Sequence, residues 1–188
     1  MSESTAASEI VIEGCRLSTV AAGVRYPNRQ DIALIELAAE SVVVGAFTQN
    51  AFCAAPVEIC KSHLLSGDIR YLLINSGNAN AGTGQAGFEA SLRTCELVAE
   101  SAGVRTTQVL PFSTGVIGQL LPLDPFKKSI AALLENLAET HWMEAAVAIM
   151  TTDTRPKLVT RSADISDSKI SIAGIAKGSG MIHPNMAT

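Results

Sequence analysis

The sequence predicts a mixed α/β fold, because short aliphatic or β-branched runs alternate along the chain with stretches of helical periodicity. Two apolar runs, at residues 69–74 and 109–112, pass directly into segments rich in Gly, Asn, Ser and Thr, as strands do where they enter turns. No Pro- or Ser-rich linker and no shift in composition divides the chain. The pattern therefore favours one mixed fold over two tethered modules.

The N-terminal third is predicted to begin with a polar tail at residues 1–8, and residues 9–188 are assigned to the folded part. Four short aliphatic or alternating runs, each bounded by polar residues, predict strands there. These strands are expected at residues 9–13, 31–37, 41–48 and 57–60, with Gly14 ending the first.

The rest of the chain alternates helices and strands. Residues 87–102 carry apolar side chains at helical spacing and stop at Gly103, which predicts a helix with a glycine C-cap. Asp124 is predicted to cap a further helix, with Pro125 at its first position. The remaining expected elements are strands at residues 69–74 and 109–112, a helix at 142–150 and a strand pair at 158–161 and 169–174.

Charge and composition exclude several classes of function. The chain has 14 basic and 18 acidic residues, a net charge of −4, and no basic run that could neutralise several phosphates, so no nucleic-acid partner is expected. The first residues do not resemble a signal peptide, and no apolar stretch is long enough to span a bilayer. We therefore expect a soluble cytoplasmic protein that has no membrane partner.

Cysteine and histidine give no pattern of a metal site. The 4 cysteines contain no CxxC pair, and the 3 histidines are isolated from one another and from the cysteines. We expect buried or free thiols in a reducing compartment, with neither a zinc site nor a Cys-His dyad.

Four segments could carry chemistry, and for each the residues alone leave a structural alternative open. The Asn- and Gly-rich residues 75–84 suit either a loop that approaches a ligand through its amides or a tight turn. The Thr114 hydroxyl and the Gly115 amide could stabilise an oxyanion, or they could form an ordinary turn after a strand. Residues 150–154 could bind the ends of an amino acid or cap a helix, and Lys177 could meet a carboxylate or lie exposed.

The chain ends on Met-Ala-Thr directly after an apolar, glycine-rich segment, which suggests a piece of something longer. The tail KGSGMIHPNMAT, at residues 177–188, resembles the autoprocessing signature of the ornithine acetyltransferase family, in which the precursor is cut between Ala187 and Thr188. Other motifs of that family follow the same order along nearly the whole chain. They are AFTQN at residues 46–50, AAPV at 54–57, NSGNANAGTG at 75–84, STGVIG at 113–118 and MTTDT at 150–154.

The resemblance implies a layered mixed-sheet α/β sandwich that transfers acetyl from N2-acetyl-L-ornithine to L-glutamate. Its products would be ornithine and N-acetylglutamate for arginine biosynthesis, with no metal or tightly bound cofactor. Acetyl-CoA as a further donor stays open. The chain would be the α-chain, its partner the C-terminal β-chain of the same precursor, and the assembly an α2β2 heterotetramer.

The resemblance also implies the site residues. Thr188 is the nucleophile, Thr114 and Gly115 form the oxyanion hole, and Thr151 and Lys177 contact substrate together with Thr188. Thr152 is a further neighbour. After cleavage the α-amine of Thr188 can act as the base for its own hydroxyl, whereas an amine still in a peptide bond to Ala187 cannot.

Two alternatives remain at this point. A related self-cleaving amidohydrolase or aminopeptidase would form the same acyl-threonine and pass the acyl group to water instead of glutamate. A non-catalytic amino-acid-binding protein would use the Asn/Gly loop and Lys177 as ligand contacts, but it leaves the Met-Ala-Thr sequence unexplained.

Overall fold

The structure is a computed structural model that describes residues 11–166 and 168–180. The predicted tail at residues 1–8 and the predicted cleavage site at Ala187 and Thr188 lie outside the described residues. Within them the chain forms a mixed sheet, helices packed against it and a separate hairpin, which confirms the predicted α/β class.

A four-stranded sheet forms the centre of the fold. Its strands, in spatial order, are β1 (Cys15–Val20), β2 (Ile32–Leu37), β3 (Tyr71–Asn78) and β4 (Val109–Val116). The first three strands pair antiparallel, whereas β3 and β4 are parallel. Parallel neighbours need a crossover, which α2 (Gly84–Ala102) and a 3₁₀ turn (Thr106–Gln108) supply.

Three more helices and one hairpin complete the described fold. The helices are α1 (Ala55–Leu64), α3 (Asp124–Glu135) and α4 (Trp142–Ala148). The hairpin pairs β5 (Lys157–Ile165) with β6 (Ser168–Ala176) in antiparallel register and belongs to a second sheet.

Apolar side chains project from both faces of the central sheet and pack into separate clusters. On β2, Ile32 and Leu34 point to one face, where they join a core cluster with residues of α2 and α3. The alternate residue Ile35 points to the other face and joins Leu17 and Trp142 of α4. The same second cluster includes Leu158 and Ile175 from the base of the hairpin, so the hairpin is anchored beside α4.

Helix α1 covers the edge of the sheet at β4. It includes residues 57–60, so the prediction of a strand there is wrong. The Cys60 thiol donates to the Pro111 carbonyl at 3.1 Å, and His63 Nδ1 lies 2.7 Å from the Val109 carbonyl oxygen. A short apolar run does not distinguish a strand from a buried helix. Here Pro56 in the first turn starts the helix, and packing against the sheet edge stabilises it.

The strand predicted at residues 41–48 is also wrong, since that segment has no regular secondary structure. Val42 and Val44 are 89% and 90% exposed, while Val43 and Phe47 pack against a small cluster beside α1. β-Branched composition favours a strand only where a neighbouring strand offers backbone partners.

The boundaries of several elements differ from the predicted ones. The first strand begins at Cys15 instead of ending at Gly14, because Gly14 adopts a φ of 77° in a turn closed by the Cys15 amide and the Ile12 carbonyl. Helix α3 starts at Asp124 itself, so Asp124 is not the N-cap as predicted. Leu123 takes the N-cap position, and its side chain makes no capping hydrogen bond. In contrast, the prediction that Gly103 ends α2 is confirmed by its left-handed φ of 69°.

Candidate functional site

The glycine-bearing segments after the two apolar runs continue as strands and meet at one end of the sheet. Gly77 of β3 is in register with Gly115 of β4. Gly115 has a φ of 137°, and a Cβ built there would lie 2.3 Å from the Gly77 carbonyl carbon. Only glycine therefore fits at position 115, and the two strand ends approach each other through bare backbone.

The asparagines of residues 75–84 stabilise this strand end through buried hydrogen bonds. Asn75, Asn78 and Asn80 are 2%, 5% and 0% exposed. Their amides bond to backbone carbonyls: Asn75 to Asn78 at 2.8 Å, Asn78 to Leu120 at 3.1 Å and Asn80 to Gly87 at 2.8 Å. Buried amides need such partners, so these side chains hold the loop rather than project from it. Gly77 is the one residue of the segment that lines the cleft described next, among the described residues.

A cleft of about 420 Å³ opens beside Gly77 and Gly115. Three further segments contribute to it: a loop between β1 and β2, the residues after α4 and the residues after β6. Its remaining lining residues are Arg25, Tyr26, Arg29, Thr114, Val116, Thr151, Thr152, Lys177, Gly178, Ser179 and Gly180.

Lys177 reaches across the cleft to Thr114. Its Nζ donates a hydrogen bond to Thr114 Oγ1 at 3.0 Å. An ammonium has no acceptor, so the threonine oxygen accepts here and its own proton stays free to point elsewhere. Thr114 and Gly115 both line the cleft, and a hydroxyl and a backbone amide are the kinds of donor that stabilise an oxyanion.

Asp153 connects the residues after α4 to the residues after β6. Its side chain is 1% exposed and accepts hydrogen bonds from Lys157 Nζ at 2.6 Å, the Gly178 amide at 2.6 Å and the Thr151 amide at 3.2 Å. Burial raises the pKa of this carboxyl, but the hydrogen bonds from Lys157 and the two amides outweigh it, so the pKa lies well below its usual range. The ionised carboxylate therefore holds Thr151 and the Lys177 segment in place.

The loop between β1 and β2 also belongs to the site, although no motif in the sequence indicates this. Asp31, which is 2% exposed, accepts bonds from the Ala22 amide at 2.8 Å and the Val24 amide at 2.6 Å. This fixes the loop over the strand ends, where Arg29 donates to the Met150 carbonyl and Arg25 Nη1 donates to Gln119 Oε1 at 3.0 Å. A polar loop far ahead of the other motifs carries no local signal of such a position.

The structure brings Thr114, Gly115, Thr151 and Lys177 together in this cleft, and Thr152 lines it as well. Thr188 and Ala187 lie outside the described residues. No sequence pattern indicated Arg25, Arg29 or Asp153 as site residues, although Asp153 belongs to the MTTDT motif.

Other chemistries find little support in the described part of the chain. No three His, Cys, Asp or Glu side chains within residues 11–166 and 168–180 are grouped so that they could hold a metal ion. All four cysteines are unbridged, and burial raises the pKa of Cys15 to about 11 and that of Cys60 to about 12, so both stay protonated. No helix in these ranges has the length and apolar composition to cross a bilayer.

Curated relatives are similar over most of this chain. It is 52% identical over 177 residues to the arginine biosynthesis bifunctional protein ArgJ of Methylococcus capsulatus, a match covering 94% of this chain and 43% of that protein. The protein of the same name from Pseudomonas syringae pv. tomato is 48% identical, with 94% of this chain and 44% of that protein covered. The chain therefore spans less than half the length of these relatives.

Solved structures share the fold. The crystal structure of ArgJ from Bacillus halodurans superposes with a TM-score of 0.85 at 30% identity, covering 92% of this chain and 91% of that chain. The ornithine acetyltransferase of Mycobacterium tuberculosis, solved in complex with ornithine, gives a TM-score of 0.84 at 36% identity and covers 92% of each chain. The ArgJ family model matches residues 16–188, and the chain belongs to the ArgJ family.

Proposed function

We propose that this chain is the N-terminal α-chain of a self-cleaving acyltransferase that moves acetyl from N2-acetyl-L-ornithine to L-glutamate through Thr188. The observation that carries the proposal is the hydrogen bond from Lys177 to Thr114 beside Gly115, with Thr151 in the same cleft. Three segments far apart in the sequence supply these residues. Family membership and the names of the relatives support the same reaction.

Self-cleavage begins with the Thr188 hydroxyl, which attacks the Ala187 carbonyl carbon. The peptide C–N bond breaks and an ester to Thr188 forms, which leaves the α-amine of Thr188 free. Water then hydrolyses the ester, releases the Ala187 carboxylate and restores the hydroxyl. The new amine has a reference pKa of about 7.7–8.0, so near neutral pH a fraction of it is unprotonated and can act as a base.

Acetyl transfer uses the same threonine in two steps. The amine of Thr188 takes the hydroxyl proton as the oxygen attacks the acetyl carbonyl of N-acetylornithine, and the resulting oxyanion accepts hydrogen bonds from Thr114 and the Gly115 amide. The C–N bond breaks, the proton passes to the departing nitrogen, and ornithine leaves. The amine of glutamate then attacks the acetyl-threonine ester, and N-acetylglutamate leaves as the hydroxyl is restored.

A second chain from the same precursor is part of the proposal. The curated relatives are more than twice as long as the matched region, whereas the matched chains in the solved structures have nearly the length of this one. The hairpin exposes four aliphatic side chains that a partner would cover, namely Val159, Ile165, Ile170 and Ile172, at 58%, 54%, 42% and 64% exposure. The α2β2 assembly is expected from the resemblance. The extent of the α-chain over residues 9–188 and the cytoplasmic location stay predictions.

The test is made on the full-length precursor and on its Thr188→Ala variant. We expect intact masses of two fragments from the wild type, one ending at Ala187, and one uncut chain from the variant. The matched control is Thr188→Ser, which keeps the hydroxyl and should still cleave. The purified wild type should convert N-acetylornithine to ornithine faster when glutamate is added, with N-acetylglutamate as the product.

Each alternative gives a different result in the same experiment. Loss of acetyl to water at a rate independent of glutamate would identify an amidohydrolase. An uncut wild-type chain that binds amino acids without turnover would identify a binding protein. Acetyl-CoA supplied in place of N-acetylornithine tests the further donor: N-acetylglutamate formed from it would extend the activity.

A further inference from the structure

The cleft contains three cationic side chains, Arg25, Arg29 and Lys177, and no lining residue among those described is acidic. Each of the three is held by a neutral oxygen: Arg25 by Gln119 and the Tyr26 hydroxyl, Arg29 by the Met150 carbonyl and Lys177 by the Thr114 hydroxyl. The nearby Asp153 carboxylate is already occupied by Lys157 and two backbone amides. Asp31 lines a small pocket together with Arg25 and Arg29, but its carboxylate accepts the Ala22 and Val24 amides, so the cleft keeps a surplus of positive charge within the described residues.

The two proposed substrates differ in how they meet such a cleft. N-acetylornithine carries one carboxylate and a side-chain ammonium, whereas glutamate carries two carboxylates. One cation is enough for the α-carboxylate that both molecules share. The surplus of positive charge favours the substrate with the second carboxylate and repels the ornithine side chain.

Arg25 is the cation best placed to meet that second carboxylate. Its Cβ lies 2.8 Å from the position that a Cβ on Gly77 would occupy, and Gly77 pairs in register with Gly115. Arg25 therefore stands over the strand end that carries the oxyanion donors. Its hydrogen bonds within the described residues use Nε and Nη1, so Nη2 faces no partner there.

Arg29 and Lys177 are less suited to this role. Arg29 is half-buried and fixed to the Met150 carbonyl, and Lys177 is bonded to Thr114 at the reacting end of the cleft. The ring of Tyr26 lies 5.4 Å from the Arg25 guanidinium carbon and limits the orientations that the guanidinium can take. A guanidinium whose Nη2 has no partner within the described residues can donate to a carboxylate from that nitrogen.

We propose that Arg25 is the residue that selects glutamate as the acetyl acceptor by binding its side-chain carboxylate. The inference rests on the proposed function, because it assumes an acetyl-threonine that glutamate attacks. It assigns Arg25 to the second half-reaction alone, in which the acceptor enters after ornithine has left.

The test uses the full-length, self-cleaved enzyme and measures KM for both substrates in Arg25→Gln and Arg25→Lys. We expect Arg25→Gln to raise KM for glutamate at least about tenfold, as loss of a charged hydrogen bond does. The KM for N-acetylornithine should not rise, since its side-chain ammonium gains no attraction from Arg25. Arg25→Lys should recover part of the glutamate KM because it restores the charge without the planar geometry.

Glutamine as acceptor provides the second readout, because it has the shape of glutamate without the side-chain charge. The wild type should prefer glutamate to glutamine, and Arg25→Gln should reduce this preference by about the same factor as it raises the glutamate KM. Arg93→Gln is the matched control: it removes one positive charge from α2, where Arg93 pairs with Glu96 and Glu100 outside the cleft. It should leave both KM values unchanged.

The outcomes separate this proposal from the proposed function. If Arg25→Gln raises both KM values together, or changes neither, Arg25 does not select the acceptor even though the wild type transfers acetyl. If the wild type forms no N-acetylglutamate, the proposed function itself is wrong. Intact masses of the two fragments, taken first, verify that each variant has folded and cleaved.

Discussion

The central sheet and the hairpin differ in how far this chain buries their apolar side chains. In the sheet, Leu17 and Leu34 are fully buried between strands and helices of this same chain. In the hairpin, β5 and β6 bury side chains only near their base, where Leu158 and Ile175 pack beside α4, and Ile172 is 64% exposed. A two-stranded hairpin is marginally stable by itself, so its order depends on what packs against it.

The candidate site lies where these two regions meet. Thr114 and Gly115 belong to the sheet, whereas Lys177 follows the last residue of β6. A hydrogen bond from Lys177 to Thr114 joins them directly, and Asp153 holds the segment after β6 to the residues after α4. The proposed oxyanion donors thus belong to the buried sheet, whereas the position of the lysine depends on the hairpin, whose aliphatic side chains are largely exposed.

The largest expected effect is on the free energy of unfolding, which should depend strongly on an apolar side chain of the sheet and weakly on one of the hairpin. Leu34→Ala should lower the free energy of unfolding by about 2–5 kcal/mol, because it leaves a cavity in the core. Ile172→Ala, the matched change on the hairpin, should cost less than about 0.5 kcal/mol in the 188-residue chain. Urea denaturation of both variants measures the difference, and equal losses would contradict the contrast drawn between the two regions.

The next effect concerns the sheet side of the site. Thr114→Val keeps the shape of the side chain but removes the hydroxyl, so kcat/KM for acetyl transfer in the full-length enzyme should fall about 10²–10³-fold. Thr114→Ser retains the donor and should keep most of the activity. A valine variant as active as the serine variant would show that this hydroxyl does not stabilise the oxyanion.

The smallest effect concerns Asp153, which connects the residues after α4 to those after β6. Asp153→Asn should cost about 1–2 kcal/mol at neutral pH, since Lys157 is partly exposed and solvent screens the pair. The pKa of Asp153 is lowered by folding, so its contribution is complete above the unfolded aspartate pKa of about 3.9 and is lost as the pH falls further.

The stability difference between wild type and Asp153→Asn should therefore shrink as the pH is lowered below that range. Unfolding free energies measured across acidic pH test this. A difference that stays constant with pH would mean that the carboxylate charge does not hold the Lys177 segment.

The sequence was sufficient where local chemistry decides the structure. The helical spacing from Phe88 onward and the glycine at position 103 predict α2, and the polar turn after Ile165 predicts the hairpin. The motifs around Thr114 and Lys177 point to the cleft because each is a recognisable pattern in the chain. That they lie in one cleft depends on strand order, which no single motif contains.

Long-range packing explains what the sequence did not predict. The apolar run around Ile59 forms a helix because it covers the edge of β4, and Val42 and Val44 form no strand because no strand pairs with them. Arg25 and Arg29 enter the site because the buried carboxylate of Asp31 holds their loop over β3. None of these causes can be recognised within a short window of residues.

The most direct test of the account is to incubate the self-cleaved enzyme with N-acetylornithine in the absence of glutamate and to locate the acetyl group by peptide mass. We expect one acetyl group on the peptide that begins with Thr188, formed together with free ornithine and lost when glutamate is added. An acetyl group on another residue, or release of ornithine only when glutamate is also present, would contradict transfer through an acetyl-threonine.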